Sequence, residues 1–243
     1  GCRNGACGTC KGKILSGAVD YGPHAPATLT DDEKRAGYAL FCCAKPRSDV
    51  EIEVREVRRA GDIPIKRLPC RVESIDKPAP DVAIVRLKLP ANERLQFLAG
   101  QYIEFLLKDG KRRSFSLANP PHDDALLELH VRHVPGGLFT DPLFTQFKGR
   151  EILRIEGPLG SFYLREASDK PMIFVAGGTG FAPIKAMIEH ALHHGVDRPI
   201  VLYWGVRSRK DLYLADVAGR WQQANPNVSF IPVMSDPLPG DAW

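Results

Sequence analysis

The sequence has no apolar run of the roughly 18 residues that a membrane-crossing helix requires. No block of lysine and arginine alternates with aromatic residues, and the formal charge of +4 is modest for 243 residues. A nucleic-acid surface is therefore not expected. Internal repeats and low-complexity tracts are also absent. The chain lacks an initiating methionine and ends at Pro239-Gly-Asp-Ala-Trp243, inside an alternating strand and helix region, so it reads as an internal fragment. The composition, 44% hydrophobic and 26% charged, is that of an ordinary globular protein of one or two domains.

What is present is concentrated at the beginning. Cys2, Cys7 and Cys10 stand at C-x4-C-x2-C with Cys42 farther on, the spacing of plant-type [2Fe-2S] ligands. Two irons bridged by sulfide need four converging thiolates, and a loop that supplies three of them must wrap closely, which Gly5 and Gly8 permit. A structural zinc site is the competing reading, but such sites favour C-x2-C pairs with tetrahedral thiolate or imidazole ligation. A disulfide framework is weaker still, because a chain of this length buries a core without staples. Cys42 and Cys43 are adjacent, and neighbours in an extended segment point to opposite sides, so only one can reach the cluster. Cys70, alone in an apolar strand pattern, reads as a buried free thiol. Thiolate ligands and unpaired cysteines favour a reducing cytoplasmic setting.

Three grammars follow one another along the chain. The cysteine-bearing segment has a helix signal at Thr30-Asp-Asp-Glu-Lys-Arg35, where Thr30 can cap and Glu33 can complete a capping box. The charged run Glu51 to Arg59 is strand-like at first and then becomes linker. From Leu68 to Gly160 the period is two. Short strands at Val82–Leu89, Gln101–Leu107, Arg113–Ala118, Leu127–Val131 and Ile152–Ile155, with a hairpin signal at Asp109-Gly110, predict a small closed antiparallel barrel of six strands. From Pro171 onward, apolar strands at Pro171–Ala176 and Pro199–Trp204 flank a helical pattern of Ile184, Met187, Ile188, Ala191 and Leu192. This βαβ unit predicts a parallel sheet. The expected domains are 1–50 for the cluster, 51–66 as linker, 67–165 for the barrel and 166–243 for the α/β module.

Two stretches carry further chemistry. Gly177-Gly-Thr-Gly-Phe-Ala-Pro183 lies between strand and helix, where glycines let a pyrophosphate approach the backbone and Pro183 at the first helical position aims free amides at the anion. Arg113-Ser-Phe-Ser116 joins a guanidinium for phosphate, an aromatic for a ring and a hydroxyl for a flavin edge. Downstream, Gly136, Gly137 and Thr140 at a short helix start form a second expected anion site, and His130 and Arg132 share the face of the strand before it.

In this order the modules resemble the ferredoxin-NAD(P)H reductase superfamily, in its form with an amino-terminal [2Fe-2S] domain. Leu40-Phe-Cys-Cys-Ala-Lys-Pro46 is similar to a Leu-x-Cys-Gln-Ala-x-Pro element of [2Fe-2S] domains, which implies Cys42 as the fourth ligand beside Cys2, Cys7 and Cys10. Gly100–Phe105 and Glu156–Phe162 look like family barrel elements, and the wording from Leu117 to Asp123 and His130 to Gly137 is most similar to CDP-6-deoxy-glucoseen reductase-like proteins. Two departures are the missing first strands of the ferredoxin domain and a missing late Cys-Gly-Pro segment. The implied fold is therefore multidomain: a truncated β-grasp ferredoxin-like domain, a six-stranded antiparallel FAD barrel and a truncated α/β parallel-sheet nucleotide domain.

The implied function is an NAD(P)H-dependent oxidoreductase. Hydride would pass to FAD beside Ser116, the catalytic candidate, and single electrons through the cluster to a deoxysugar dehydrase or an oxygenase. FAD-binding candidates are Arg113, Ser114, Phe115, Ser116, His130, Val131, Arg132, Gly136, Gly137 and Thr140. Those for the nicotinamide nucleotide are Gly177, Gly178, Thr179, Gly180, Pro183, Arg207 and Arg209. The cations after the second strand, Arg207, Arg209 and Lys210, argue by charge for NADPH, whereas the resemblance argues for NADH. NADH is the expected donor and NADPH the alternative; Asp211 reads as a helix cap rather than a ribose ligand. The reading from another class is a non-catalytic iron-sulfur electron carrier or redox sensor, against which the Gly177 turn counts. Neither nucleic acid nor membrane is an expected partner.

Overall fold

A computed structural model describes residues 4–6, 8, 10–53 and 63–241. The chain divides into two compact units, residues 1–62 and 63–243.

In the first unit β1 (Lys11–Ser16), β2 (Val19–Asp20), α1 (Asp31–Arg35), β3 (Tyr38–Leu40), β4 (Lys45–Pro46) and β5 (Glu51–Ile52) follow in order. β1 lies between β3 and β5, antiparallel to both. Glu51 and Ile52, expected to open the linker, thus belong to this sheet. The α1 start is built as anticipated: the Thr30 hydroxyl accepts from the Glu33 amide at 3.2 Å, and the Glu33 carboxylate accepts from the Thr30 amide at 2.9 Å. Lys11 ties β1 to that helix through Glu33 at 2.5 Å, while Leu29, Ala39 and Leu40 form the buried centre.

The second unit opens with a barrel of β6 (Lys66–Ala79), β7 (Val82–Lys88), β8 (Tyr102–Leu106), β9 (Arg112–Ser116), β10 (Leu127–Arg132), α2 (Thr140–Thr145) and β11 (Ile152–Leu159). All neighbours are antiparallel, in the order β10-β7-β6-β11-β8-β9. A bridge between Leu117 and Leu129 joins the two ends and closes the barrel. Alternation explains the interior: Leu68, Cys70 and Val72 point inward along β6, with Arg67, Pro69 and Arg71 outside. Burial pushes the Cys70 thiol up to about 12, which fits an inert core cysteine. The hairpin between β8 and β9 turns at Asp109-Gly110, where the Gly110 amide donates to Leu107 at 3.0 Å.

The remainder is β12 (Met172–Gly177), α3 (Phe181–His193), β13 (Ile200–Val206), α4 (Ala215–Ala224) and β14 (Val228–Met234), whose strands form a parallel sheet in that order. Ile184, Met187, Ile188 and Ala191 of α3 are buried, consistent with their helical spacing. Met172, Ala176, Ile200, Leu202 and Trp204 lie on the face of the sheet packed in the core, and Ile173 and Val175 point to the other face. β14 was not anticipated. Among the described residues no helix is long and apolar enough to cross a membrane.

Candidate functional site

A cavity of about 510 Å³ in the second unit lies where the barrel ladder is incomplete. β9 pairs with β8 along one edge, and its other edge meets β10 only past its end, at the Leu117–Leu129 bridge. Along that unpaired stretch the cavity is lined by Arg113, Ser114, Phe115 and Ser116, and faced by His130, Arg132, Gly137 and Thr140. The Arg113 guanidinium donates to the Arg112 carbonyl at 2.8 Å. Phe115 packs against Phe139, ring centres 5.2 Å apart, so the aromatic wall is fixed from behind. Leu138, Phe139 and Thr179 also line it; no spacing in the sequence singled out Leu138 or Phe139.

Several expected ligands stand differently. His130 is buried and both ring nitrogens are engaged, Nδ1 with Tyr213 at 2.8 Å and Nε2 with Glu128 at 3.2 Å. It supplies wall, not a free nitrogen. The Val131 side chain is in the barrel core, so only its main chain could reach a ligand. The second anion site is satisfied internally: the Gly136 amide donates to Asp141 at 2.7 Å, the Gly137 amide to Val134 at 2.9 Å, and the Thr140 hydroxyl to Val134 at 2.9 Å. Gly136 lies outside the cavity lining; Gly137 and Thr140 contribute surface. A nearby carboxylate, Asp141, thus takes the Gly136 amide that an anion was expected to take.

A second cavity, about 350 Å³, sits at the carboxyl ends of β12, β13 and β14, where open parallel sheets bind ligands. Arg132, Gly178, Gly205, Arg207 and Ser235 line it. Its glycine-rich turn is a single 3-10 turn, Gly178–Gly180, and α3 begins at Phe181, so Pro183 is the third helical residue rather than the first. Proline is tolerated there because that amide has no intrahelical acceptor. Gly178 has φ +50°, and a Cβ on it would stand 3.3 Å from the Arg132 guanidinium. A Cβ on Gly177 or Gly180 would meet nothing within 4 Å, so space remains open above the turn. The turn is pinned by Trp204, whose indole donates to Gly178 at 2.9 Å and whose ring stacks on Phe181 at 3.9 Å. The α3 start carries no side-chain cap, leaving amides and the positive dipole end for an anion. Thr179 and Gly180 border the first cavity, and Arg132 borders both. Arg207 is exposed and lines the second cavity; Arg209 lies outside its lining, with its amide bonded to Asp241 at 3.0 Å. Asp211 does not cap α4. It is the third residue of a capping box, accepting from the Ser208 amide at 3.0 Å.

In the first unit, Cys2 and Cys7 lie outside the described residues. Cys10 and Cys42 come together: the Cys42 amide and side chain both hydrogen-bond the Cys10 sulfur. The segment after β3 is a turn, not an extended strand, so Cys42 and Cys43 do not point to opposite sides; their sulfurs are 3.5 Å apart. Cys43 packs against Gly22, where an added Cβ would be 2.5 Å from the Cys43 carbonyl oxygen. Gly5, at φ +75°, lets the loop lie on His24, whose Cα would be 2.8 Å from a Cβ there. Paired soft sulfurs beside a tightly wrapped loop suit iron-sulfur ligation.

The comparisons with known proteins agree module by module. Residues 1–47 match the 2Fe-2S iron-sulfur cluster binding domain, 69–163 the oxidoreductase FAD-binding domain and 174–242 the oxidoreductase NAD-binding domain. The CDP-6-deoxy-L-threo-D-glycero-4-hexulose-3-dehydrase reductase of Yersinia pseudotuberculosis is 40% identical over 234 residues, covering 96% of this chain and 70% of that protein. The chain belongs to the ferredoxin-NAD(P)H reductase superfamily, in the branch with an iron-sulfur domain. Reductase component 1 of terephthalate 1,2-dioxygenase from Comamonas sp is 39% identical, covering 99% of the chain and 71% of that protein. The solved Amycolatopsis reductase GcoB superposes with a TM-score of 0.76 at 39% identity, covering 98% of the chain and 72% of its own. This superfamily member is thus an oxidoreductase whose modules serve FAD, a nicotinamide nucleotide and a [2Fe-2S] cluster, and it passes electrons from NAD(P)H to a partner.

Proposed function

We propose that the chain is the reductase of a two-component system whose partner is a deoxysugar dehydrase or an aromatic-compound oxygenase, the two kinds of system that its relatives serve. The observation that carries the reading is the juxtaposition of two cavities, one along the open edge of β9 and one at the ends of the parallel strands, with Arg132 in the wall of both. Residues 67–165 form the flavin module and 166–243 the nucleotide module. Arg113 holds phosphate oxygens, Phe115 and Phe139 supply an apolar wall, and the Ser116 hydroxyl orients the flavin edge. Gly177, Gly178 and Gly180 with the α3 amides receive the pyrophosphate of the nucleotide, and Arg207 lies beside it. Cys2, Cys7, Cys10 and Cys42 hold the cluster. Bound FAD supplies the exchange between a two-electron hydride donor and a one-electron acceptor, which no side chain can perform. Thiolate ligands and the unoxidised core Cys70 fit a reducing cytoplasm.

The test is anaerobic addition of NADH, then NADPH, to the full-length protein while flavin and cluster absorbance and cytochrome c reduction are followed. Bleaching of both chromophores, with turnover on cytochrome c, is the expected result. A protein that holds flavin and cluster yet is bleached by neither nucleotide is an electron carrier, and the reductase reading fails.

A further inference from the structure

Four histidines gather away from both cavities. His122 stands on the barrel turn between β9 and β10, and His190, His193 and His194 occupy the carboxyl-terminal end of α3 and its cap. One nitrogen each from His122, His190 and His194 lies within 4.8 Å of the other two. His190 and His194 are separated by four residues, so both project from one side of a helix, a spacing at which two imidazoles can share an ion.

The state of His190 is the decisive detail. Its Nε2 is 3.1 Å from the Glu166 carboxylate, which accepts and cannot donate, so that nitrogen carries the proton. The lone pair is then on Nδ1. That atom is buried and has no hydrogen-bond partner among the described residues. A histidine whose outer nitrogen is held by a carboxylate and whose inner nitrogen presents an unused lone pair has the form of a metal ligand with its orienting partner. A buried acceptor left unpaired is otherwise costly.

The remaining groups fit. The turn that carries His122 is fixed, with the Asn119 amide group donating to Asp123 at 2.7 Å and the Asp123 amide to Pro120 at 3.0 Å. His193 stacks on the His122 ring at 3.7 Å and 14°, so it walls the site rather than closing it. Asp123 and Glu166 offset the positive charge of an ion. Zinc–nitrogen bonds of 2.0–2.1 Å set tetrahedral ligands about 3.4 Å apart, so an ion here requires the exposed His122 and His194 rings to rotate inward from their separation of up to 4.8 Å.

We propose that His122, His190 and His194 form a site for a divalent, imidazole-binding transition metal of the zinc class, with water in the fourth position. The ion would staple the barrel turn to the far end of the helix that begins at the glycine-rich turn, so occupancy restrains the nucleotide module against the barrel. This is independent of the electron-transfer reading.

The experiment uses untagged, cluster- and flavin-loaded full-length protein freed of adventitious metal with a chelator. Zinc is then titrated against a chromophoric competitor, with iron and flavin content and thermal midpoint measured in parallel. Expected are one zinc per chain, unchanged iron, and a raised midpoint. H122N and H194Q should each weaken zinc at least ~100-fold and abolish the midpoint rise, whereas E166Q should weaken it ~10- to 100-fold. Equal zinc affinity in the wild type and the H122N/H194Q double variant, or zinc uptake matched by iron loss, would overturn the proposal. So would no uptake by wild-type protein.

Discussion

The imidazole Nδ1 of His130, inside the barrel wall, accepts from the hydroxyl of Tyr213 in the nucleotide module at 2.8 Å. The opposite nitrogen faces Glu128 at 3.2 Å, and Glu128 in turn meets Lys185 of α3 at 3.2 Å. Four buried or nearly buried polar groups thus fasten the barrel to the nucleotide module beside the cavity along β9. Tyr213→Phe leaves one buried nitrogen unpaired and should cost on the order of 1–3 kcal/mol. The measurement is the urea midpoint from tryptophan fluorescence; an unchanged midpoint would show that the bond contributes nothing net.

The same network sets a pH dependence. Burial lowers the His130 pKa, and the bond to Glu128 only partly opposes it, so the native protein holds this ring neutral. Burial works against ionisation of Glu128, but His130, Lys185 and Arg86 more than offset it and bring the carboxyl to about 2. The unfolded histidine binds a proton near pH 6.5, before the native one does. The His130 contribution is therefore complete above about pH 6.5 and is lost as pH falls below it, at up to about 1.4 kcal/mol per unit. Glu128 stays ionised throughout that window. The slope of stability between pH 7.5 and 5 should be shallower in His130→Gln than in wild type; parallel slopes would assign the dependence to other groups.

Cys42→Ser should abolish cluster assembly, since its amide and side chain engage Cys10, whereas Cys43→Ser should largely retain iron. The argument that only one of the adjacent pair can reach the cluster, opposite sides of a strand, does not hold in the folded turn. The choice of Cys42 rests on the resemblance of Leu40–Pro46 to a [2Fe-2S] element and on its contact with Cys10. Iron content of the two purified variants decides it, and the reverse outcome assigns Cys43 to the iron.

Arg113→Ala should loosen FAD by about 1.5–3 kcal/mol, the worth of a hydrogen bond to a charged group. Its neighbour is a different matter, because Arg112 is committed to Glu104 at 3.0 Å and to Glu156 on the barrel exterior. Flavin retained through gel filtration at wild-type level in Arg113→Ala would reduce that residue to a strand position.

How much was legible in the sequence depended on the range over which each signal acts. The capping box at Thr30 and Glu33, the Asp109-Gly110 hairpin and the burial of Cys70 in an apolar strand are set by near neighbours, and all three appear as read. The three modules and their cofactors were legible because glycine and cysteine spacing answers to chemistry. Long-range partners were not. Nothing near Gly136 in the pattern says that Asp141 turns back to take its amide, and nothing near His130 announces Tyr213.

The choice of nucleotide turns on two arginines that the sequence treated alike. Arg207 lines the cavity at the ends of the parallel strands, and among the described residues no hydrogen bond or ion pair holds its side chain. Arg209 is outside that lining, in the turn whose amide is held by Asp241, a carboxylate that also lies close enough to Lys210 to feel its charge. A 2′-phosphate needs a cation that can reach it, and of these two arginines Arg207 is the one in the cavity wall. Arg207→Ala should lower kcat/KM for NADPH by roughly tenfold, about 1.4 kcal/mol, and leave NADH nearly unchanged. Arg209→Ala should alter neither. The ratio of the two kcat/KM values across wild type and both variants is the readout. If the ratio moves with Arg209 and not with Arg207, the ribose lies over the turn rather than in the cavity.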